Sequence, residues 1–299
     1  MLSAVAAAPR NQLQRPLSLW LRKPVYVYRP SQIVRRLGNA RRSGEARVRV
    51  AWGDSLYVDT REMIGSSIAR LGVHELAVTE TIYRLVRAGE TAIDVGANLG
   101  YHTSLLAHRV GPKGTVHAFE PHPALYARLC DNVGHLPRVR LHEQAISDRE
   151  GTAFLNQPDD FARNMGCSRV ADRGIPIKVT TIDETVPTGP IGLMKIDIEG
   201  HELAALVGGV HALARTRHVV FEEVDPLPTR VSEMLESVGF RVYRIAEAWR
   251  GPRLVEPREL RPETQWDAPN YLATREPHVL RLVRPDGWRC LRPRGGQFE

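Results

Sequence analysis

The sequence predicts an α/β fold in which a mostly parallel sheet is covered by helices on both faces. Beyond residue 50, short apolar runs of strand-forming residues alternate with segments of helical period, the order typical of a parallel sheet with crossover helices. A glycine-containing turn at residues 94–100 joins a predicted strand to a predicted helix, as in folds that bind nucleotides at the sheet edge. The length of 299 residues is sufficient for one large core.

Seven segments have the composition of strands. The first, 91–95, follows a helical pattern that ends before Gly89. The strand at 192–198 has apolar residues on both sides, as expected for a strand covered on both faces. The other strands are predicted at 115–119, 139–142, 218–224, 240–245 and 271–274.

Helical patterns occupy most intervals between these strands. Pro123 suits the first turn of a helix over 123–132, and Gly239 suits the position just after a helix over 231–238. The remaining helices are predicted at 78–86, 103–110 and 203–207, the last with Leu203, Leu206 and Val207 on its inward face. Between the third and fourth strands, two extended pieces, 152–155 and 177–182, predict an insertion.

Composition divides the chain into four parts. Residues 1–50 carry eleven Lys and Arg against Glu45 alone, so the total charge of +7 leaves −3 for the remainder. We predict a basic N-terminal arm at 1–50, a helical lead-in at 51–88, a ligand-binding domain at 89–275 and a basic tail at 276–299. Because the body is not basic, nucleic acid is not the expected partner.

The sequence predicts a cytoplasmic protein without a transmembrane segment. No apolar stretch approaches the roughly 18–20 residues that cross a bilayer. The apolar run at residues 2–8 has neither the basic flank nor the length of a signal peptide.

The turn at residues 94–100 and the end of the next strand predict a nucleoside-bearing cofactor. Gly96 and Gly100 allow the backbone to approach a ligand, but their spacing lacks the third glycine of the dinucleotide-binding motif. Asp94 would repel a diphosphate and suits the ammonium of an amino acid moiety. Glu120 ends the neighbouring strand, where its two oxygens can accept both hydroxyls of a ribose.

Three blocks of the sequence resemble the FkbM-type family of S-adenosylmethionine-dependent methyltransferases: D-V-G-A-N-L-G-Y-H-T, F-E-P-H-P and K-I-D-I-E-G-H-E. The resemblance covers roughly residues 56–275 and includes the segments 145–148 and 164–168. It implies a class I methyltransferase fold, Rossmann-like, with seven strands of which six are parallel and the last antiparallel. It also implies S-adenosylmethionine as cofactor and O-methylation of a hydroxyl on a sugar, glycan or secondary metabolite.

The resemblance assigns cofactor contacts to residues of the two strand ends and to the loop after the third strand. The loop residues Gln144 and Ala145 occupy the place of the adenine edge, and Asn164, Gly166 and Ser168 are candidates for the acceptor site. The remaining cofactor-binding residues are Asp94, Gly96, Asn98, Gly100, Glu120 and Asp197.

The fourth strand supplies the candidate catalytic residues. Asp197 ends this apolar strand beside the expected sulfonium, where it positions cofactor or acceptor. His201 is the candidate general base, because an imidazole titrates near neutral pH. Glu222 or Glu223 at the end of the fifth strand is the alternative base. The spacing of these acids matches no set of metal ligands, so we expect a metal-independent enzyme.

Other functions remain open at this point. A nicotinamide-dependent oxidoreductase shares the strand, glycine turn and acid, and a non-catalytic module could bind a nucleoside cofactor with the same residues. A nucleic-acid methyltransferase is disfavoured, since no N/D-P-P-Y-type tetrapeptide follows the fourth strand. The sequence specifies neither the acceptor nor the oligomeric state.

Overall fold

The computed structural model describes residues 44–156, 169–225, 227–257 and 270–291. The strands are β1 (Glu45–Arg49), β2 (Ser55–Asp59), β3 (Thr91–Val95), β4 (Thr115–Phe119), β5 (Val139–His142), β6 (Ala145–Ile146), β7 (Gly151–Asn156), β8 (Arg169–Ala171), β9 (Ile175–Thr180), β10 (Ile191–Ile196), β11 (Thr216–Glu222), β12 (Arg241–Ala248), β13 (Gly251–Val255) and β14 (Asn270–Thr274). The helices are α1 (Met63–Leu71), α2 (Leu76–Leu85), α3 (Tyr101–Val110), α4 (Pro123–Val133), α5 (Ile182–Thr185), α6 (Glu202–Val207), α7 (Val210–Ala214), α8 (Arg230–Ser237) and α9 (Val279–Leu282).

The central sheet confirms the predicted α/β class. Its strand order is β13-β12-β14-β11-β10-β3-β4-β5. The strands β5, β4, β3, β10 and β11 are parallel, β14 is antiparallel to β11, and β12 is antiparallel to β14. Six strands therefore run in one direction and β14 runs against them, as the resemblance implies.

The predicted count of seven strands is wrong by one, because β13 forms an eighth strand at the edge. It pairs antiparallel with β12. No strand was predicted for this segment, because it contains Pro252, which lacks an amide hydrogen. An edge strand tolerates proline, since one of its sides makes no ladder hydrogen bonds.

Side chains alternate between two cores on opposite faces of the sheet. Ala92 and Leu193 contribute to the core shared with α1 to α4 and the β1–β2 hairpin. Ile93 and Met194 contribute to the core shared with α5 to α8. By the same alternation, Asp94 faces the side of α3, because it follows Ile93 by one residue. This alternation brings Asp94 into contact with Thr103 of α3.

The predicted insertion is present as a second sheet with the order β6-β9-β7-β8. It packs a small core of its own around Ala145, Leu155 and Ile177. The candidate acceptor residues Asn164, Gly166 and Ser168 lie outside the described residues.

The N-terminal boundary differs from the predicted one. Strands β1 and β2 pair as an antiparallel hairpin whose Val48, Val50, Leu56 and Val58 are buried in the core. The alternation of valine with arginine in this segment was the available signal, but its positive charge led us to include it in the basic arm. Residues 1–43 lie outside the described residues.

Two apolar residues of the predicted helix faces are exposed. Val207 and Val238 are 50% and 37% exposed, because α6 and α8 are short and end at or just before these positions. Across the described ranges, no helix is long and apolar enough to cross a membrane.

The C-terminal segment packs on the core through residue 291. Trp288 and Leu291 are buried against Val73 and Leu76. The buried Glu80 carboxylate accepts hydrogen bonds from the amides of Arg289 and Cys290 at 2.9 and 2.7 Å. These contacts join positions about 200 residues apart in the chain, so local composition cannot indicate them, and the division of the chain into four parts stays a prediction.

We expect Trp288→Ala to destabilise the protein by about 3 kcal/mol, since removing a buried aromatic side chain leaves a cavity. Trp288 is 3% exposed, whereas Trp249 is 52% exposed. Trp249→Ala is therefore the matched control, with an expected loss below about 1 kcal/mol. Chemical denaturation measures both, and equal losses would contradict a packed C-terminal segment.

Candidate functional site

The candidate site lies where the strand order reverses, between β3 and β10. After β3 the chain builds β4 and β5 on one side, and β10 and β11 are added on the other. Ligands of open α/β sheets bind outside the carboxyl ends of the strands at such a point. The strands β3, β4, β10 and β11 end here with Asp94, Glu120, Asp197 and Glu222 at or near their last residues.

The glycine loop after β3 is folded tightly against its neighbours. The amides of Gly96 and Ala97 donate to the carbonyl of Phe119 at 3.0 and 2.9 Å. Gly96 has φ +82°, and a Cβ on it would lie 2.0 Å from the carbonyl oxygen of Asp197. Only glycine meets both conditions, so Gly96 holds the loop closely against β10.

Asp94 lies beneath this loop and is fully buried. Its Oδ2 accepts a hydrogen bond from Thr103 Oγ1 at 2.6 Å, while Oδ1 has no partner among the described residues. Burial raises the pKa of Asp94 above its usual value, against the attraction of Lys195, which lowers it. An unpaired carboxylate oxygen in this position is costly unless a bound group satisfies it.

Glu120 organises the neighbouring loop end. Its two oxygens accept hydrogen bonds from the amides of Asn98 and His122, both at 2.9 Å. Asn98 is held at φ +50°, so its amide points at the carboxylate. Burial raises the pKa of Glu120 to about 7, although the two amide hydrogen bonds lower it. Each oxygen keeps a second lone pair for a ligand hydroxyl.

The predicted base His201 faces the loop after β6. Its Nε2 lies 2.9 Å from Ser147 Oγ, and burial lowers its pKa while Asp148 raises it. Of the predicted adenine-edge residues, Ala145 is the first residue of β6 and Gln144 directly precedes it. The imidazole is thus directed to the side of the site where the adenine is predicted.

Asp197 instead contacts Lys195 and Glu222. Lys195 Nζ donates to Asp197 Oδ2 at 2.9 Å, and the ammonium is almost fully buried. Burial lowers the pKa of Lys195, but the attraction of Asp197 and Asp94 outweighs burial and holds it above its ordinary value. This fixed cation also holds the pKa of Asp197 well below its usual range, against the effect of burial.

Glu222, the alternative base, forms a carboxyl pair with Asp197. Burial, together with the charge of Asp197, raises the pKa of Glu222 to about 9. A hydrogen bond joins the two side chains, with the protonated Glu222 as donor. Near neutral pH the pair therefore holds one proton and one negative charge.

The other acids of this region have structural contacts. Glu202 Oε1 accepts from the amides of Ile198 and Gly200 at 3.3 and 3.0 Å, and Glu223 Oε1 accepts from the amide of Asp225 at 3.3 Å. These contacts favour a structural role for Glu202. The described residues contain no group of three or more His, Cys, Asp or Glu arranged to hold a metal ion, and metal independence stays a prediction.

Sequence reasoning missed three residues beside the Asp197–Glu222 pair. Asn270 faces Glu222 across the β11–β14 ladder, and its Nδ2 donates to Glu75 Oε1 at 3.0 Å. His102 lies at the start of α3 within the quoted resemblance, and its buried Nε2 has no partner among the described residues. Glu75 comes from the segment predicted as a lead-in and has no local signal except its left-handed φ of +43°, which is visible only in the structure.

Comparisons with known proteins agree with this geometry. The family model "Methyltransferase FkbM domain" matches residues 94–245. The hexuronic acid methyltransferase AglP of Haloferax volcanii is 33% identical over 44% of this chain and 56% of its own length. The 31-O-demethyl-FK506 methyltransferase FkbM of Streptomyces tacrolimicus is 32% identical over 52% of this chain and 75% of its length. The 2-O-methyltransferase NoeI of Sinorhizobium fredii is 27% identical over 55% and 74%.

The chain thus spans little more than half the length of AglP. A solved O-methyltransferase from Thermotoga maritima superposes with a TM-score of 0.39 at 16% identity, covering 77% of each chain. The fold assignment rests on the strand order of this chain rather than on that superposition.

Proposed function

This chain belongs to the FkbM family of methyltransferases, and from that premise we propose that it transfers a methyl group from S-adenosylmethionine to a hydroxyl of a sugar, glycan or secondary metabolite. Two of the relatives named above are methyltransferases of a hexuronic acid and of 31-O-demethyl-FK506, and the third is a 2-O-methyltransferase. The alternative function, a nicotinamide-dependent oxidoreductase, is not supported by the family match. A cytoplasmic location and the absence of a nucleic acid partner stay predictions.

The observation that carries the proposal is the convergence of a tightly packed glycine loop with two buried acids. Gly96 lies so close to the Asp197 carbonyl that a Cβ would clash with it, which fixes the loop beside Asp94, with its unpaired oxygen, and Glu120, with its spare lone pairs. Asp94, Gly96, Asn98, Gly100 and Glu120 therefore fit the amino acid and ribose parts of the cofactor. The predicted adenine contacts are Gln144 and Ala145.

Binding tests the proposal directly. In calorimetric titrations, we expect the protein to bind S-adenosylhomocysteine and not NAD. Transfer of label from methyl-labelled S-adenosylmethionine to an alcohol separates an enzyme from a non-catalytic binding module. Binding of NAD instead of S-adenosylhomocysteine would overturn the proposal.

When bound, S-adenosylmethionine supplies an electrophilic methyl on a sulfonium. The chain has to align the acceptor hydroxyl, exclude water and take up one proton. We assign the proton to the Asp197–Glu222 pair, because these carboxyls share a hydrogen bond at the expected acceptor end. Lys195 positions Asp197 through the bond to Nζ.

The first consequence is a basic limb in the pH–rate profile. With the pKa of Glu222 raised to about 9, the pair loses its last proton only as the pH rises through that value, and kcat/KM should rise with it. We expect Glu222→Gln to abolish this limb and lower kcat by about 100-fold. Initial rates between pH 6.5 and 10 measure both effects.

Glu223→Gln is the matched control, since Glu223 is the neighbouring alternative base. It should keep the limb and most of the activity. If Glu223→Gln removes the limb and Glu222→Gln retains it, the assignment of the two residues is reversed.

His201→Ala distinguishes the imidazole from the carboxyl pair. Because His201 contacts Ser147 at the predicted adenine side, we expect weaker cofactor binding, by about fivefold, roughly the value of one hydrogen bond. We expect kcat to change less than threefold. A large fall in kcat at unchanged cofactor affinity would return the role of general base to His201.

A further inference from the structure

Beyond the carboxyl pair, the acceptor end of the site has an acidic wall, which we define as Glu75, Asp197 and Glu222. These residues come from three separate elements. Asn270 lies between two of them, because it donates a hydrogen bond to Glu75 and faces Glu222 across the β11–β14 ladder. Glu199, in the loop after β10, adds a further negative influence on Glu222.

A buried polar atom without a partner adjoins this wall. His102 is 7% exposed, and its Nε2 has no hydrogen-bond partner among the described residues. Burial lowers the pKa of His102, and Lys195 lowers it further while Asp197 raises it, so the ring lies near the Asp197 end of the wall. An unsatisfied buried nitrogen is destabilising, which indicates that a ligand group completes it.

We propose that the acidic wall and His102 select a non-anionic polyhydroxyl acceptor, of which a neutral sugar ring is the simplest form, and disfavour an acidic sugar. This inference rests on the proposed function. The ionised carboxylates of Asp197 and Glu75 only accept hydrogen bonds, so they match the hydroxyl donors of a polyol, while the protonated Glu222 adds no charge near neutral pH. A uronate would add a negative charge beside Asp197 and Glu75, and the nearby ammonium of Lys195 is already bonded to Asp197.

Paired probes test this selectivity. With S-adenosylhomocysteine at saturation, the methyl glycosides of glucose, galactose and mannose are titrated by calorimetry beside their matching uronates. Label transfer from S-adenosylmethionine to the same compounds is measured in parallel. We expect at least one neutral glycoside to bind and accept methyl at least tenfold better than its uronate.

Two variants assign the effect to the wall. Glu75→Gln keeps the size and a hydrogen-bonding oxygen for Asn270 but removes the charge, and it should reduce the preference to below threefold. Glu236→Gln, an exposed position on α8, is the matched control and should leave the preference unchanged. His102→Phe keeps a ring without Nε2 and should weaken binding of the neutral glycoside about tenfold.

The outcomes separate the inference from the proposed function. Equal or better binding of the uronates, or no binding of any neutral glycoside by protein saturated with S-adenosylhomocysteine, overturns the inference alone. Failure to bind S-adenosylhomocysteine at all overturns the proposed function.

Discussion

Glu120→Ala is expected to weaken the binding of S-adenosylhomocysteine by about 100- to 1,000-fold. Two hydrogen bonds from ribose hydroxyls to a carboxylate are worth roughly 3–4 kcal/mol together. The substitution also frees the amides of Asn98 and His122, which Glu120 now holds at 2.9 Å. Calorimetric titration measures the loss, and affinity equal to wild type would contradict the ribose role.

A matched control separates lost ligand contacts from lost folding. Glu62 is a second buried carboxylate that accepts two amide hydrogen bonds, from Ile64 and Gly65 at 2.9 and 2.6 Å. Glu62→Ala should lower the free energy of unfolding by about 1–3 kcal/mol, similar to the stability loss expected for Glu120→Ala. It should not change cofactor affinity. If both variants lose affinity equally, the effect of Glu120→Ala is structural.

The same carboxyl predicts a pH dependence. Burial raises the pKa of Glu120 to about 7 in the folded protein, and the ribose hydroxyls require its ionised form as acceptor. The affinity for S-adenosylhomocysteine should therefore be highest above pH 7. It should fall as the pH drops, by about tenfold between pH 8 and pH 6. In Glu120→Gln the affinity should be weak and independent of pH over this range.

Gly96→Ala is expected to abolish cofactor binding and to destabilise the protein by about 4 kcal/mol. The left-handed backbone costs a residue with a Cβ about 1–2 kcal/mol, and forcing the Cβ away from a backbone carbonyl adds a similar or larger amount. That carbonyl belongs to Asp197, so the substitution separates the loop after β3 from the end of β10 at the proposed cofactor site. Thermal unfolding and titration with S-adenosylhomocysteine measure the two effects.

Gly89→Ala provides the reference for the backbone cost alone. Gly89 has nearly the same conformation, with φ +84°, but no atom lies within 4 Å of the added Cβ. We expect a loss of about 1 kcal/mol and normal cofactor binding. Equal destabilisation by both substitutions would show that the contact with Asp197 can relax without cost.

The strands of the central sheet could be predicted from local sequence because the residues of each strand specify it. The strands Thr91–Val95, Thr115–Phe119 and Val139–His142 have the predicted bounds, since short apolar runs between turn residues leave little freedom. The β1–β2 hairpin and the C-terminal segment were missed, because charge and composition describe the surface of a segment and not what its other side covers.

The sequence by itself determined the α/β fold, the family and the identity of the strand-end acids, because periodicity, glycine spacing and the three quoted blocks are local properties. Only the tertiary structure decided which acids meet. It pairs Asp197 with Glu222, directs His201 to Ser147, and brings Glu75 and Asn270 to the same edge. Their contacts join positions far apart in the chain, and the burial that sets their pKa values exists only after the sheet and helices have packed.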